Sequence, residues 1–233
     1  MRKNKRFLVL AAMLLAVACA ATFMVGSAVA ADEDVASITV KIGDAEAQTA
    51  DSFAAAMELV KAADADAVKV ITLGEGVVDA VDANTFRIET PNLTIAGAGA
   101  DKTTIKFDKT MRGSGVEYFG GRIAYPTIYA TADVTIEGLT IAGPTDEHHG
   151  IDGILAKAAL TVKDVVITDI RCTADGGEIC GVQYGRPILV DGEGDVSLVN
   201  VEIKKFQKQA IDLNTTGDIT IRSVTITGAG EQA

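Results

Sequence analysis

The second half of the chain repeats one pattern of apolar and polar positions: an apolar-polar-apolar triplet, a two-residue break, and a second triplet of the same kind. Copies of this pattern begin at Val134, Leu160, Val196 and Ile219, which are 26, 36 and 23 residues apart. Each triplet is typical of a short strand that points two side chains to one side. Recurrence at such intervals indicates a repeat architecture in which each copy stacks on the next.

The break between the triplets is too short for a loop, so it predicts a sharp bend that leaves both strands facing one interior. Its second position holds residue types that tolerate left-handed or side-chain-bonded turns: Gly138, Asp164, Asn200 and Ser223. A further strand is predicted before each copy, at 127–130, 153–156, 187–190 and 210–213, and an earlier, less regular set at 86–88, 93–95 and 104–107. Three strands per repeat predict an all-β fold, a right-handed parallel β-helix solenoid of about five to six coils.

The segment before the first repeat predicts an amphipathic helix with its N-cap at Asp51 or Ser52. The apolar positions of this helix follow the i, i+3, i+4, i+7 spacing: Phe53, Ala56, Met57 and Val60. A strand at 68–73 and a glycine turn come next. Because the first coil of a solenoid needs a cover, we expect an N-terminal capping helix, with the cap at about 38–76 and coils at about 77–230.

The first thirty residues are typical of a signal peptide rather than of the fold. Basic residues from Arg2 to Arg6 precede an apolar run, and Ala28-Val29-Ala30 forms a small-x-small cleavage signature. The alternative is an uncleaved membrane anchor, since the apolar run is long. With cleavage, residues 31–233 form one domain and carry no further membrane segment.

The net charge of residues 31–233 restricts the classes of partner that they can bind. The signal segment holds four of the 21 basic residues and none of the 32 acidic ones, so the remainder has a net charge of −15. Such a surface repels nucleic acid and anionic membranes. It suits an extracytoplasmic protein, secreted or at the cell surface. Cys172 and Cys180 then form an even pair in an exported chain, which predicts a disulfide; the alternative is two free thiols.

Roughly residues 38–230 resemble the pectin-lyase-like superfamily of secreted β-helix proteins. The resemblance lies in the helix, the strand and glycine turn at 68–76, the Asn92–Gly97 segment and the later repeats. This resemblance implies the fold and leaves the activity open, because the superfamily includes lyases, hydrolases, esterases, adhesins and phage spikes. The Asn-x-Asp, Asp-Asp and Gly-His-Gly set of polygalacturonases and the Arg-Pro-Arg element of lyases are missing from the sequence.

The residues that could act in catalysis or binding lie in the connections at 108–126, 142–152, 168–186 and 204–209. Stacking of the coils would place these connections on one side of the solenoid. Carboxylates beside an arginine can abstract a proton next to a uronic carboxylate, and two carboxylates can hydrolyse a glycosidic bond. The candidate catalytic residues are Asp146, Asp152, Arg171, Asp175 and Arg186. The alternative is that these charged side chains are merely solvated.

Other residues of the same connections suit ligand binding. Substrate contacts are predicted for Tyr118, Tyr125, His148, His149 and Tyr184, and a Ca²⁺ site for Asp146, Glu147 and Asp152. The tyrosines could instead pack against neighbouring loops, and no EF-hand spacing supports the calcium site.

Two functions remain open from the sequence. One is a secreted or cell-surface protein that binds a polysaccharide or surface glycan and, if it is an enzyme, acts as a polysaccharide lyase or glycoside hydrolase. The other is a non-catalytic, adhesin-like or structural β-helix module, or a truncated member of the superfamily. The last predicted strands would expose an apolar edge, so we expect self-association or a partner chain there.

Overall fold

Parallel strands dominate the structure, a computed structural model that describes residues 35–80, 86–107, 115–144, 151–171 and 184–228. These residues belong to one compact unit. Its N-terminal part contains β1 (Ile38–Ile42), β2 (Gln48–Ala50), α1 (Phe53–Ala62), β3 (Lys69–Leu73), β4 (Gly76–Ala80), β5 (Arg87–Ile88), β6 (Leu93–Gly97) and β7 (Thr103–Phe107). Next come β8 (Val116–Tyr118), a 3₁₀ turn (Phe119–Gly121), β9 (Arg122–Ala124), β10 (Pro126–Ala130), β11 (Val134–Glu137) and β12 (Thr140–Ala142). The remaining strands are β13 (Asp152–Ala156), β14 (Leu160–Thr168), β15 (Ile188–Gly192), β16 (Val196–Lys204), β17 (Ile211–Thr215) and β18 (Ile219–Thr227).

The repeated pattern stacks in register within the larger sheet. Apolar residues at equivalent positions of β3, β6, β11, β14, β16 and β18 are successive parallel partners: Ile71, Ile95, Ile136, Val162, Leu198 and Ile221. All of these except Ile221 are fully buried. The prediction that the copies share one apolar column is therefore confirmed, as is an all-β fold with parallel strands.

Each copy bends at the predicted position. Gly138, Asp164, Asn200 and Ser223 have positive φ angles of 64°, 54°, 54° and 53°. The left-handed conformation turns the chain sharply, so the triplet after the bend points its aliphatic side chains into the same core as the triplet before it. Across neighbouring copies, the side-chain amide of Asn200 donates to Oδ1 of Asp164 at 2.6 Å.

A second sheet joins β5, β10, β13, β15 and β17 among the described residues, all in parallel. It contains the strands predicted before each copy. One face packs on the main core through Ile128, Ile154 and Ile188. The other face lies under an antiparallel hairpin, β8–β9, where Tyr118 and Ala124 pack on Leu155 and Leu189. This hairpin is not among the strands that the sequence predicts.

Helix α1 starts where the sequence predicts. Ser52 is the N-cap and its Oγ accepts the N–H of Ala55 at 3.1 Å. The predicted apolar face is buried, and the ring of Phe53 stacks on Phe86 with 4.0 Å between centroids. Beside α1, β1 pairs antiparallel with β3 and so covers one edge of the larger sheet.

The opposite edge is formed by β18 and β17. Among the described residues β18 pairs with β16 alone, and β17 pairs with β15 alone. Ile219, Ile221 and Ile226 are 50%, 48% and 50% exposed. The prediction of an exposed apolar edge at the last strands is confirmed.

Candidate functional site

Backbone hydrogen bonds join the described parts of the long connections. The N–H of Asp152 donates to the carbonyl of Tyr125 at 2.8 Å, and the N–H of Gly185 donates to that of Ile151 at 3.0 Å. The carbonyl of Gly185 in turn accepts the N–H of Gln207 at 3.2 Å. We call the described parts of these connections, 123–126, 151–152, 168–171, 184–187 and 205–208, the connection edge.

An ion pair between Asp152 and Arg186 lies at the centre of the connection edge. Nε of Arg186 donates to Oδ1 of Asp152, and a terminal guanidinium nitrogen donates to Oδ2, both at 2.8 Å. Two backbone N–H groups also donate to this carboxylate, Tyr125 to Oδ2 at 2.9 Å and Arg186 to Oδ1 at 3.2 Å. Asp152 is 0% and Arg186 2% exposed. A carboxylate held in this way joins β13 to its two neighbouring connections.

The surroundings of Arg186 are partly apolar and partly negative. Its guanidinium lies over the ring of Tyr118, 4.7 Å from the centroid, and donates to the carbonyl of Ile123 at 3.4 Å. Burial lowers the pKa of Arg186 below its ordinary value, and the negative charge of Asp212 counteracts this shift. A guanidinium is not deprotonated in proteins, so the side chain stays charged and cannot serve as a proton acceptor.

A second buried ion pair stands on the neighbouring connection. Oδ1 of Asp169 accepts from the guanidinium of Arg171 at 3.0 Å, and Oδ2 accepts from the hydroxyl of Thr168 at 2.8 Å. The ammonium of Lys205 lies 3.8 Å from Oδ1. Asp169 has a φ of 60°, so the backbone turns sharply there and directs Arg171 towards Gly185.

Two of the predicted substrate-binding tyrosines lie together. The rings of Tyr125 and Tyr184 are 5.0 Å apart in a T-shaped arrangement. Both are partly exposed. Each is tied to the central ion pair by the chain itself, since the N–H of Tyr125 binds Asp152 and Tyr184 precedes Arg186 by two residues. Tyr118 is separate from this pair, being buried under Arg186.

The structure thus brings some predicted site residues together and leaves others undescribed. Asp152, Arg186, Tyr125 and Tyr184 form one group, with Arg171 next to it. Several predicted residues lie outside the described residues: Asp146, Glu147, His148, His149, Cys172, Asp175 and Cys180. Their catalytic, ligand-binding, calcium and disulfide roles stay predictions.

The burial of the Asp152–Arg186 pair bears on its predicted chemistry. A general base must come within hydrogen-bond reach of a substrate proton. Both oxygens of Asp152 are occupied by protein donors, and the side chain is shielded from solvent. This geometry favours a role in positioning the connections over direct contact with a substrate.

A polar cluster at the tip of the hairpin was not predicted from the sequence. Asp191 binds the ammonium of Lys157 at 2.5 Å and the amide of Asn214 at 2.7 Å, and accepts the backbone N–H of Phe119. The signal was available, because these three side chains follow the aligned strands at 153–156, 187–190 and 210–213 by one residue. The contact of Phe119 depends on the unpredicted hairpin.

An open groove of about 530 Å³ runs beside the bends and was also missed. Its lining includes Gly138, Asp164, Asn200, Glu202 and Ser223, and contains none of the predicted site residues.

Within the described residues, His, Cys, Asp and Glu side chains form no group of three that could hold a metal ion. The described part of the chain contains no helix with the length and apolar character that a membrane span requires.

No protein-family model, curated protein or solved structure matches this chain.

Proposed function

We propose that this chain is an exported, extracytoplasmic protein that is built as a right-handed parallel β-helix of the pectin-lyase-like kind and binds carbohydrate at its connection edge. Support for the architecture comes from the parallel, in-register stacking of copies that bend at one shared position. Support for export comes from the basic and apolar pattern of the first thirty residues.

The observation that carries the binding site is the pair of tyrosines beside the buried ion pair. Tyr125 and Tyr184 are partly exposed, in edge contact, and fixed by the backbone of the residues that surround Asp152 and Arg186. Aromatic rings held rigidly at a surface offer an apolar face to a sugar ring at little entropic cost. The exposed ammonium of Lys205 lies on a neighbouring connection and places a positive charge there for an acidic glycan.

We propose that the connection edge binds its glycan without cleaving it. Of the candidate catalytic carboxylates, Asp152 is enclosed by donors, whereas Asp146 and Asp175 lie outside the described residues. If the protein cleaves its glycan, as a polysaccharide lyase or glycoside hydrolase does, the general base is to be sought at Asp146 or Asp175.

The test combines a glycan panel with two aromatic variants. Uronic-acid and neutral glycans are titrated with and without Ca²⁺, while unsaturated products and new reducing ends are followed. We expect binding without products, and Tyr184→Ala should weaken it about tenfold, equal to 1.4 kcal/mol. Phe119→Ala is the control, because Phe119 is an exposed aromatic residue on the hairpin tip, outside the connection edge. Equal losses in both variants would place the glycan elsewhere.

A non-catalytic, adhesin-like or structural module is the second candidate, favoured by the exposed apolar edge at β18. Such an edge serves attachment to another protein surface rather than catalysis. The panel distinguishes the two functions, because a structural module would bind none of the glycans.

A further inference from the structure

The edge formed by β17 and β18 is an apolar surface that the described residues leave uncovered. The aliphatic side chains of β18 continue the buried columns of β16, yet Ile219, Ile221 and Ile226 are about half exposed. The outer N–H and C=O groups of β18 also face no strand within the described ranges. Such an edge is a template for pairing with another chain.

We propose that this edge binds a second copy of the protein across a two-fold axis, with the two β18 strands paired antiparallel. The apolar pattern of β18 reads the same in both directions around its bend. With the bends opposed, Ile221 faces Val224 of the second copy and Ile219 faces its Ile226. Every core-facing aliphatic residue therefore meets another one.

The polar residues of β18 are compatible with the same antiparallel register. Thr220 would face Thr225 of the second copy, which is a favourable cross-strand pair. Arg222 would face Ser223, and Asp218 would face Thr227, so no like charges are opposed. This matters because like charges directly opposite each other destabilise a strand pair.

The opposite end of the sheet excludes a head-to-tail arrangement. There β1 already pairs with β3, and α1 buries its apolar face while exposing Glu58 and Lys61. An apolar edge stacked on that end would meet charged side chains. The same sheet shows that these aliphatic columns can pair with an antiparallel strand, since β1 places Val40 opposite Ile71 and Ile38 opposite Leu73. Identical edges that meet form an isologous pair.

The first experiment measures mass by light scattering during size-exclusion chromatography of the purified protein. We expect a dimer that dissociates on dilution, and a dimer lost in Ile221→Lys, which places a charge opposite Val224. Thr135→Lys is the matched control, since this side chain points away from the core on β11, which lies away from the β17–β18 edge, and it should remain dimeric. Amide exchange in β14 shows whether each variant is folded. A wild-type monomer at every concentration would overturn the proposal, and so would a folded Ile221→Lys dimer.

The second experiment tests the register with introduced thiols. The double variant Thr220→Cys, Thr225→Cys should form a covalent dimer under mild oxidation, because the two positions face each other across the axis. The single variant Thr220→Cys should not, because antiparallel pairing separates its two copies. A disulfide that joins the two copies of the single variant through their position-220 thiols would indicate parallel pairing and contradict the proposal.

Discussion

Arg186 and Asp152 lie 34 residues apart in the sequence and form a buried, two-armed ion pair with both contacts at 2.8 Å. Their backbone contacts draw in Tyr125 as well, so the pair holds three connections in one geometry. The predicted catalytic pair is thus arranged as the support of the candidate binding site. Support of this kind determines how accurately the tyrosines beside it are held.

Replacement of Asp152 by Asn should destabilise the fold strongly. The variant leaves the charge of Arg186 buried without its partner, which costs about 3–5 kcal/mol for pairs of this kind. Urea unfolding followed by circular dichroism measures the loss. Glu89→Gln is the control, because the Glu89–Arg87 pair is exposed and such pairs contribute about 0–1 kcal/mol. Equal stability of Asp152→Asn and wild type would show that the pair is not structural.

Low pH should lower the stability of the fold, in part because the Asp191 carboxylate becomes protonated. Burial raises the pKa of this carboxyl, but hydrogen bonds from Lys157, Asn214 and the backbone of Phe119 outweigh burial, so the pKa is lowered overall. A lowered pKa contributes stability that is fully present above the unfolded value of about 3.9 and is lost as pH falls through the folded value.

The measurement for Asp191 is the urea midpoint at a series of pH values from neutral to strongly acidic. Asp191→Asn should lower the midpoint at neutral pH and make its decline below about pH 4 shallower. Lys157→Met should act in the same direction, since it removes a main cause of the shift. An unchanged acid profile in both variants would contradict this role of Asp191.

The strands and bends were predictable because a single pattern determines both. Alternation at 219–221 and 224–226 fixes which side chains face the core, and the residue type at Ser223 permits the left-handed bend. The hairpin β8–β9 was not predictable in this way. Its short strands carry a weak pattern, and its burial depends on Leu155 and Leu189, which are distant in sequence.

The candidate site was predicted in location more accurately than in role. Spacing alone indicates that the connections containing Asp152 and Arg186 are neighbours. It does not indicate that a guanidinium and two backbone N–H groups converge on one carboxylate, because that depends on side-chain direction at the start of β13 and β15. Asp169 was missed as a partner of Arg171 for the same reason, since its left-handed backbone sets the direction of the connection.

The stability of the fold should depend on which residue type occupies the bend position of Asn200. With φ at 54°, a β-branched side chain clashes with its own backbone, and Asn200→Val should cost about 1–2 kcal/mol or more. Asn200→Gly should cost less, since glycine adopts this conformation freely and the variant loses mainly the bond to Asp164. The unfolding free energies of the two variants, compared directly, check the order. A valine variant as stable as the glycine variant would mean that the bend is not strained.

Helix α1 should be needed for the integrity of the core next to β1. Val60 is fully buried against that core, so Val60→Asp places a charge in an apolar environment and should cost about 3–5 kcal/mol. We also expect lower solubility, because a detached helix would expose Phe53 and Phe86 together. Thermal unfolding and the soluble fraction after expression are the measurements. Glu58→Lys lies on the exposed face of the same helix and should leave both unchanged apart from its contact with Lys61. If Val60→Asp behaves like Glu58→Lys, α1 does not cover the core in solution.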